Sequence, residues 1–187
     1  WCSERSMAYL VRSENQSLRV SASLELVLPG SQVKGEKIVS ETIMSEQSKS
    51  SRECALIAAR AADERKATDI MVIKVGELVD VTDYFVIATG ANTPQVEAIL
   101  DNIEEALRKE AGVKPASREA TNDHSWELLD YGSFVVDIFQ PEARDYYRLE
   151  MLWSDAPIID LAEAGIEHPE YSERIAKLVE QVEGVRE

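Results

Sequence analysis

The chain has 187 residues, 44% of them hydrophobic, which suits one domain with a real core and extensions better than two domains. No run of about 18 or more uncharged apolar residues occurs, so no membrane-spanning helix is expected. The net charge of −15 at pH 7 repels bare phosphate backbone, which argues against direct nucleic-acid binding.

The charge is unevenly spread. Residues 1–43 hold five acids and five bases, so residues 44–187 carry the whole excess. Such a surface suits a basic partner and salt-sensitive association, or solubility alone. Cys2 and Cys54 sit in no metal or redox motif. They read as free thiols of a reducing compartment, and cytoplasmic localisation is expected.

In chain order, residues 1–43 form an N-terminal extension rich in Ser and Glu, expected to be poorly ordered or non-native, with Met44 as a candidate natural start. The partial alternation of "SLRVSASLELVLPG" is consistent with a strand ended by Pro29-Gly30. Ser50 or Ser51 caps a helix in the Ala-rich "SSRECALIAARAADERKA". Residues 68–76 and 82–90 read as strands, each opened by a Thr-Asp pair. Thr93 as cap, Pro94 in the first turn and Gly112 as stop frame the next helix. Its apolar face is Val96, Ile99, Leu100, Ile103 and Leu107.

"HSWELLDYGSFVVDIF", residues 124–139, reads as a β-hairpin. Alternation puts Trp126, Leu128 and Asp130 on one face of its first strand, and Glu127, Leu129 and Tyr131 on the other. In the second strand Val135, Asp137 and Phe139 share a face. A buried unpaired carboxylate is costly, so Asp137 is exposed, paired with a base, or protonated, and a solvent-facing position is the expectation. The mixture of apolar and acidic residues on both faces fits a contact surface with an aromatic anchor, although large aromatics fill cores too. Pro141 opens a helix through "PEARDYYRLEMLW", with Tyr146, Leu149 and Trp153 on one face. Ser172 caps a last amphipathic helix with Ile175, Leu178, Val179 and Val182 along one stripe, expected to pack back on the domain.

Two strand pairs separated by a helix imply an α/β fold, a mixed sheet with helices packed on it. The division expected is an N-terminal extension 1–43, an α/β domain 44–160 and a C-terminal extension 161–187. No nucleophile motif surrounds His124 or His168, and no P-loop or G-x-G-x-x-G occurs. The pairs Asp80/Asp83 and Asp123/His124 are thin signals for a metal, because hard cations need several converging oxygens and turns are rich in Asp anyway.

"KATDIMVIKVGELVDVTDYFVIATG", "QVEAI", "WELLDYGSFVVDIF" and "PEARDYYRLEMLW" together resemble the ribosomal silencing factor family, RsfS or Iojap-like, over about residues 50–157 in one order. The resemblance implies a nucleotidyltransferase-like α/β fold without the catalytic carboxylates. It implies docking on uL-fourteen, a large-subunit ribosomal protein, so that the small subunit cannot join and translation is repressed when nutrients run short. It also implies a possible homodimer, no cofactor, no metal and no catalytic residue. The docking residues it implies are Trp126, Leu128, Leu129, Asp130 and Tyr131, with Asp137 adding charge beside them. Two positions depart from the pattern: Pro94 where many members carry Arg, and Asp137 where many carry His. The alternatives are a metal-dependent, nucleotidyltransferase-like enzyme with Asp137 as its carboxylate, and a dimeric adaptor for another basic protein.

Overall fold

The structure is a computed structural model that describes residues 49–78 and 82–184. The extension 1–43, Met44 and Asp80 lie outside the described residues. Helix α1 (Ser51–Glu64) begins with a capping box: the Ser50 side chain accepts from the Glu53 amide, and the Glu53 carboxylate accepts from the Ser50 amide at 2.9 Å. Two orphan amides at the helix start are thereby satisfied. Its buried face is largely alanine, with Ala55, Ala58, Ala59 and Ala62 fully covered. Small side chains let its backbone lie close to the sheet.

Strands β1 (Thr68–Lys74) and β2 (Tyr84–Thr89) pair antiparallel, within the spans read from the sequence. Helix α2 (Thr93–Glu110) follows, capped by Asn92 rather than Thr93: the Asn92 side chain accepts from the Gln95 amide at 3.0 Å. Pro94 sits in the first turn, where its missing amide costs no helix bond. Gly90 precedes this helix because a Cβ there would lie 3.0 Å from a Val96 methyl. Gly112 takes φ 68° just past the helix end, a left-handed conformation that glycine adopts without strain.

A strand that the periodicity does not reveal comes next, β3 (Ser117–Ala120), "SREA". It has no apolar alternation because it is a half-exposed edge. Strands β4 (Trp126–Asp130) and β5 (Phe134–Phe139) form the expected hairpin. The five strands make one mixed sheet in the order β1-β2-β5-β4-β3, with β2 and β5 parallel.

Helix α3 (Pro141–Tyr147) is shorter than the sequence suggests. Arg148 adopts φ 46°, and a 3₁₀ turn (Leu149–Trp153) follows. The break corrects the reading of Tyr146, Leu149 and Trp153 as one helical face: Tyr146 is 81% exposed while Leu149 is buried. Beyond it the chain runs along β1, with an Ile73–Ile158 bridge and a Lys74 amide donating to the Pro157 carbonyl. Helix α4 (Glu173–Gly184) closes the fold.

Both sheet faces are covered. On one face Ile70, Val72, Val86, Ala88, Leu129, Val136 and Ile138 pack against α1, α2, Leu161 and Ile166. On the other, Met71, Ile73, Phe85, Ile87, Trp126, Val135 and Phe139 meet Ala143, Leu149, Ile175 and Leu178. The stripe of α4 does pack back on the domain, and residues 161–178 contribute to both cores. A sheet buried on both sides explains why β2 and β5 read as nearly unbroken apolar runs.

The tail is hooked to β1 at an irregularity between Thr68 and Met71. Asp69 sits there at φ 51°. Its amide donates to the Glu170 carbonyl and its carboxylate accepts from the Ser172 amide at 2.6 Å. Asp is among the few residues that tolerate this backbone region.

Candidate docking interface

The β4–β5 ribbon is the part of the sheet that the sequence singles out. Trp126 is 5% exposed, stacked on Phe139 at 4.8 Å and tilted against Tyr147 at 4.9 Å. Its indole Nε1–H donates to Asp137 Oδ1 at 2.9 Å. Asp137 is 1% exposed, which corrects the expectation of a solvent-facing carboxylate. Its Oδ2 has no hydrogen-bond partner among the described residues. Burial pushes the Asp137 carboxyl up to about 7, against the Trp126 hydrogen bond and the Arg144 charge, which pull it down. At 1% exposure the carboxyl is sealed from solvent.

The sign of the pH effect follows. The folded carboxyl keeps its proton to about pH 7, whereas an ordinary Asp releases it near 3.8. Between those values the folded state binds the extra proton, so this group makes stability fall as pH rises. Asp137→Asn cannot ionise and is expected to remove that slope. At pH 8 it should be more stable than the parent by on the order of 1–2 kcal/mol, net of the two unpaired amide N–H groups. Urea unfolding at pH 5 and pH 8 checks this; an unchanged slope would refute it.

The remaining ribbon residues divide. Leu129 is fully buried on the helix-covered face. Leu128, Asp130 and Tyr131 are half-buried. Asp130 accepts from the Gly132 amide at 2.7 Å and shapes the hairpin turn. Tyr131 stacks on Phe134 at 4.5 Å, and burial raises its phenol. Glu127, read as one of the acids mixed into a contact surface, is 2% exposed. Arg118 holds it from β3 at 3.1 Å and His124 at 2.9 Å. Glu127 and Asp137 are thus bonded interior groups, and Asp130 is the half-buried acid of the ribbon.

Exposed apolar side chains lie in the helix and the 3₁₀ turn that follow the ribbon in the chain. Tyr146, Met151 and Leu152 are 81%, 50% and 60% exposed. Tyr146 meets Tyr147 edge-on at 5.0 Å, so a row of rings leads from Trp126 in the core to Tyr146 at the surface. Sequence reasoning missed these three because it carried one helix through to Trp153. Arg148 offers no warning of its left-handed backbone.

Beneath them lies a buried ionic network. Arg144, 1% exposed, donates from Nε to Glu150 at 2.9 Å and from a terminal nitrogen to the Asp69 carbonyl at 3.2 Å. Burial lowers its guanidinium, and Glu150 opposes that. Arg174 of α4 reaches the other Glu150 oxygen.

The model of a family described as "Ribosomal silencing factor during starvation" matches residues 48–183. The chain is 39% identical over 105 residues to "Ribosomal silencing factor RsfS" of Bacillus subtilis, covering 56% of this chain and 88% of that protein. It is 41% identical over 106 residues to "Protein Iojap, chloroplastic" of Zea mays, covering 55% of this chain and 44% of that one. A crystal structure of a protein from Chromobacterium violaceum is similar with a TM-score of 0.53 at 32% identity, covering 56% of this chain and 87% of the other. With a family match over well more than half of its length and the same α/β architecture, this chain belongs to the ribosomal silencing factor family.

Proposed function

We propose that the protein represses translation by docking on the large ribosomal subunit through uL-fourteen and blocking the small subunit sterically, under nutrient limitation. The observation that carries this reading is the family match over residues 48–183. The chemistry agrees with it: an acidic chain of net charge −15 is drawn to a basic ribosomal protein, and occlusion needs no catalytic group. The reading places the protein in the cytoplasm, with the ribosomes.

The docking face we propose joins Leu128 and Asp130 of the ribbon to Tyr146, Met151 and Leu152, while Tyr131 packs on the opposite side of the sheet. Trp126 and Asp137, at most 5% exposed, shape that face from beneath, whereas Leu129 is buried in the core on the other side of the sheet. Exposed aromatic and aliphatic side chains supply area for desolvation, and acids around them supply orientation. No helix among the described residues is long and apolar enough to cross a membrane.

Co-sedimentation with purified large subunits, at low and moderate salt, tests the reading, with pull-down on isolated uL-fourteen as its second arm. Wild type should bind, more tightly at low salt. Tyr146→Ala combined with Leu128→Ala should weaken binding by about ten-fold or more, with the fold intact by circular dichroism. Failure of the wild type to bind either target would sink the proposal. Equal binding by the variant would keep the function and move the face. Sedimentation velocity on the same samples reads whether a homodimer forms.

A further inference from the structure

Away from the proposed docking face, three donors converge where α2, the β3–β4 turn and β4 meet. Glu97, His124 and Glu127 each place one ligand atom within 4.8 Å of the others. They come from three separate elements, so the fold assembles the group.

The surroundings hold the donors in place. Glu127 is 2% exposed; Arg118 engages its Oε2, while its Oε1 lies 2.9 Å from His124 Nδ1. The turn that carries His124 is tied down by Thr121 and Ser125 hydroxyls donating to Asp123, both at 2.8 Å. Those bonds commit the Asp123 carboxylate to the turn. Gln140 then bridges the His124 carbonyl at 3.0 Å and the Thr93 hydroxyl at 2.9 Å, fixing the turn against the start of α2. Glu97 is one turn further along that helix and exposed, free to close on the other two.

The charge balance also favours a cation. Arg118 contacts Glu127, Asp101 and Glu104, one guanidinium against three carboxylates before Glu97 is counted. Nitrogen and oxygen ligands sit roughly 2.0–2.2 Å from zinc, hence roughly 3.2–3.6 Å from one another in a tetrahedron. The exposed Glu97 side chain is the one placed to adjust the group to that spacing. One imidazole and two carboxylates are a donor set suited to zinc and its neighbours rather than to calcium or magnesium, which prefer oxygen alone.

We propose that Glu97, His124 and Glu127 form a binding site for a divalent transition-metal ion, zinc by donor chemistry, which clips α2 to the β3–β4 turn. The three side chains supply three ligands, and water completes the tetrahedron. The site is independent of ribosome docking.

The test is isothermal titration of the chelator-stripped full chain with zinc chloride, with the visible absorption of bound cobalt(II) as a signature of tetrahedral coordination. One zinc per chain is expected. His124→Asn and Glu97→Gln alter exposed side chains, so both should fold. Each should weaken zinc binding by at least about ten-fold, the scale on which even indirect metal partners act. His168→Asn, at the other histidine of the chain, should leave it unchanged. Absence of saturable zinc binding, or the same affinity in both variants as in the parent, would overturn the site and leave the cluster as an ion-pair network.

Discussion

Replacing Arg144 by alanine is expected to cost about 3–5 kcal/mol of stability, because it leaves a buried charge without its partner. The Glu150 side chain is 0% exposed and its Oε2 accepts from Arg144 Nε at 2.9 Å. Arg174 still reaches the other Glu150 oxygen from α4, but it is itself 26% exposed and pulls from the rim. Arg144 also caps the Asp69 carbonyl at the β1 irregularity and lies over the Phe139 ring at 5.9 Å. One substitution thus loosens β1, β5, α3 and the anchorage of the tail together. Urea unfolding followed by circular dichroism measures it. Arg144→Ala/Glu150→Ala in the same background should lose less than the two single losses added, since removing both charges relieves the orphan. Strict additivity would show that the pair is not coupled.

Trp126→Ala is expected to be of similar size, about 3–5 kcal/mol, the range for deleting a large aromatic from a core. The side chain fills the space between Phe139 and Tyr147 and gives Asp137 its hydrogen bond. Trp126→Phe separates the two roles. It keeps a ring and removes the donor, so it should lose about 1–3 kcal/mol, the cost of a buried acceptor left unmade. That loss should be largest above pH 7, because the bond favours the ionised carboxylate and Asp137 ionises only near there. An equal loss at pH 5 and pH 8 would mean that Trp126 acts by volume alone. Under the proposed function, loss of ribosome binding by Trp126→Ala taken by itself would report the collapse of a support. Tyr146 and Leu128 are the better probes of the proposed face.

Much of the architecture is legible in local pattern. The capping box at Ser50 and Glu53, the stripe from Val96 to Leu107 and the alternation in residues 126–139 each act within a few residues of chain. Local interactions select these elements, so they can be read without the fold. The family resemblance was legible for a related reason: it rests on several motifs in fixed order, later matched over residues 48–183. Strand β3 was not legible, because a short polar edge strand exists only through its pairing with β4. The end of α3 at Arg148 was not legible either. That residue turns left-handed where Leu149 enters the second core and Glu150 meets Arg144, and those demands come from distant parts of the chain.

The candidate site divides along the same line. By itself the sequence determined which residues form the ribbon, that Trp126 and Asp137 are its unusual members, and that the chain carries a strong acidic excess. Composition and period-two alternation are local quantities, and they are sufficient for that. Only the tertiary structure decided which side of the ribbon meets water. Two layers cover the sheet: α1, α2 and the segment from Leu161 to Ile166 on one face, α3, the 3₁₀ turn after it and α4 on the other. A carboxylate in a strand is exposed or buried according to what another segment lays over it. Here Asp137 lies under that second layer and Trp126 supplies its donor, while Tyr146 is left outside by a single left-handed residue two positions on.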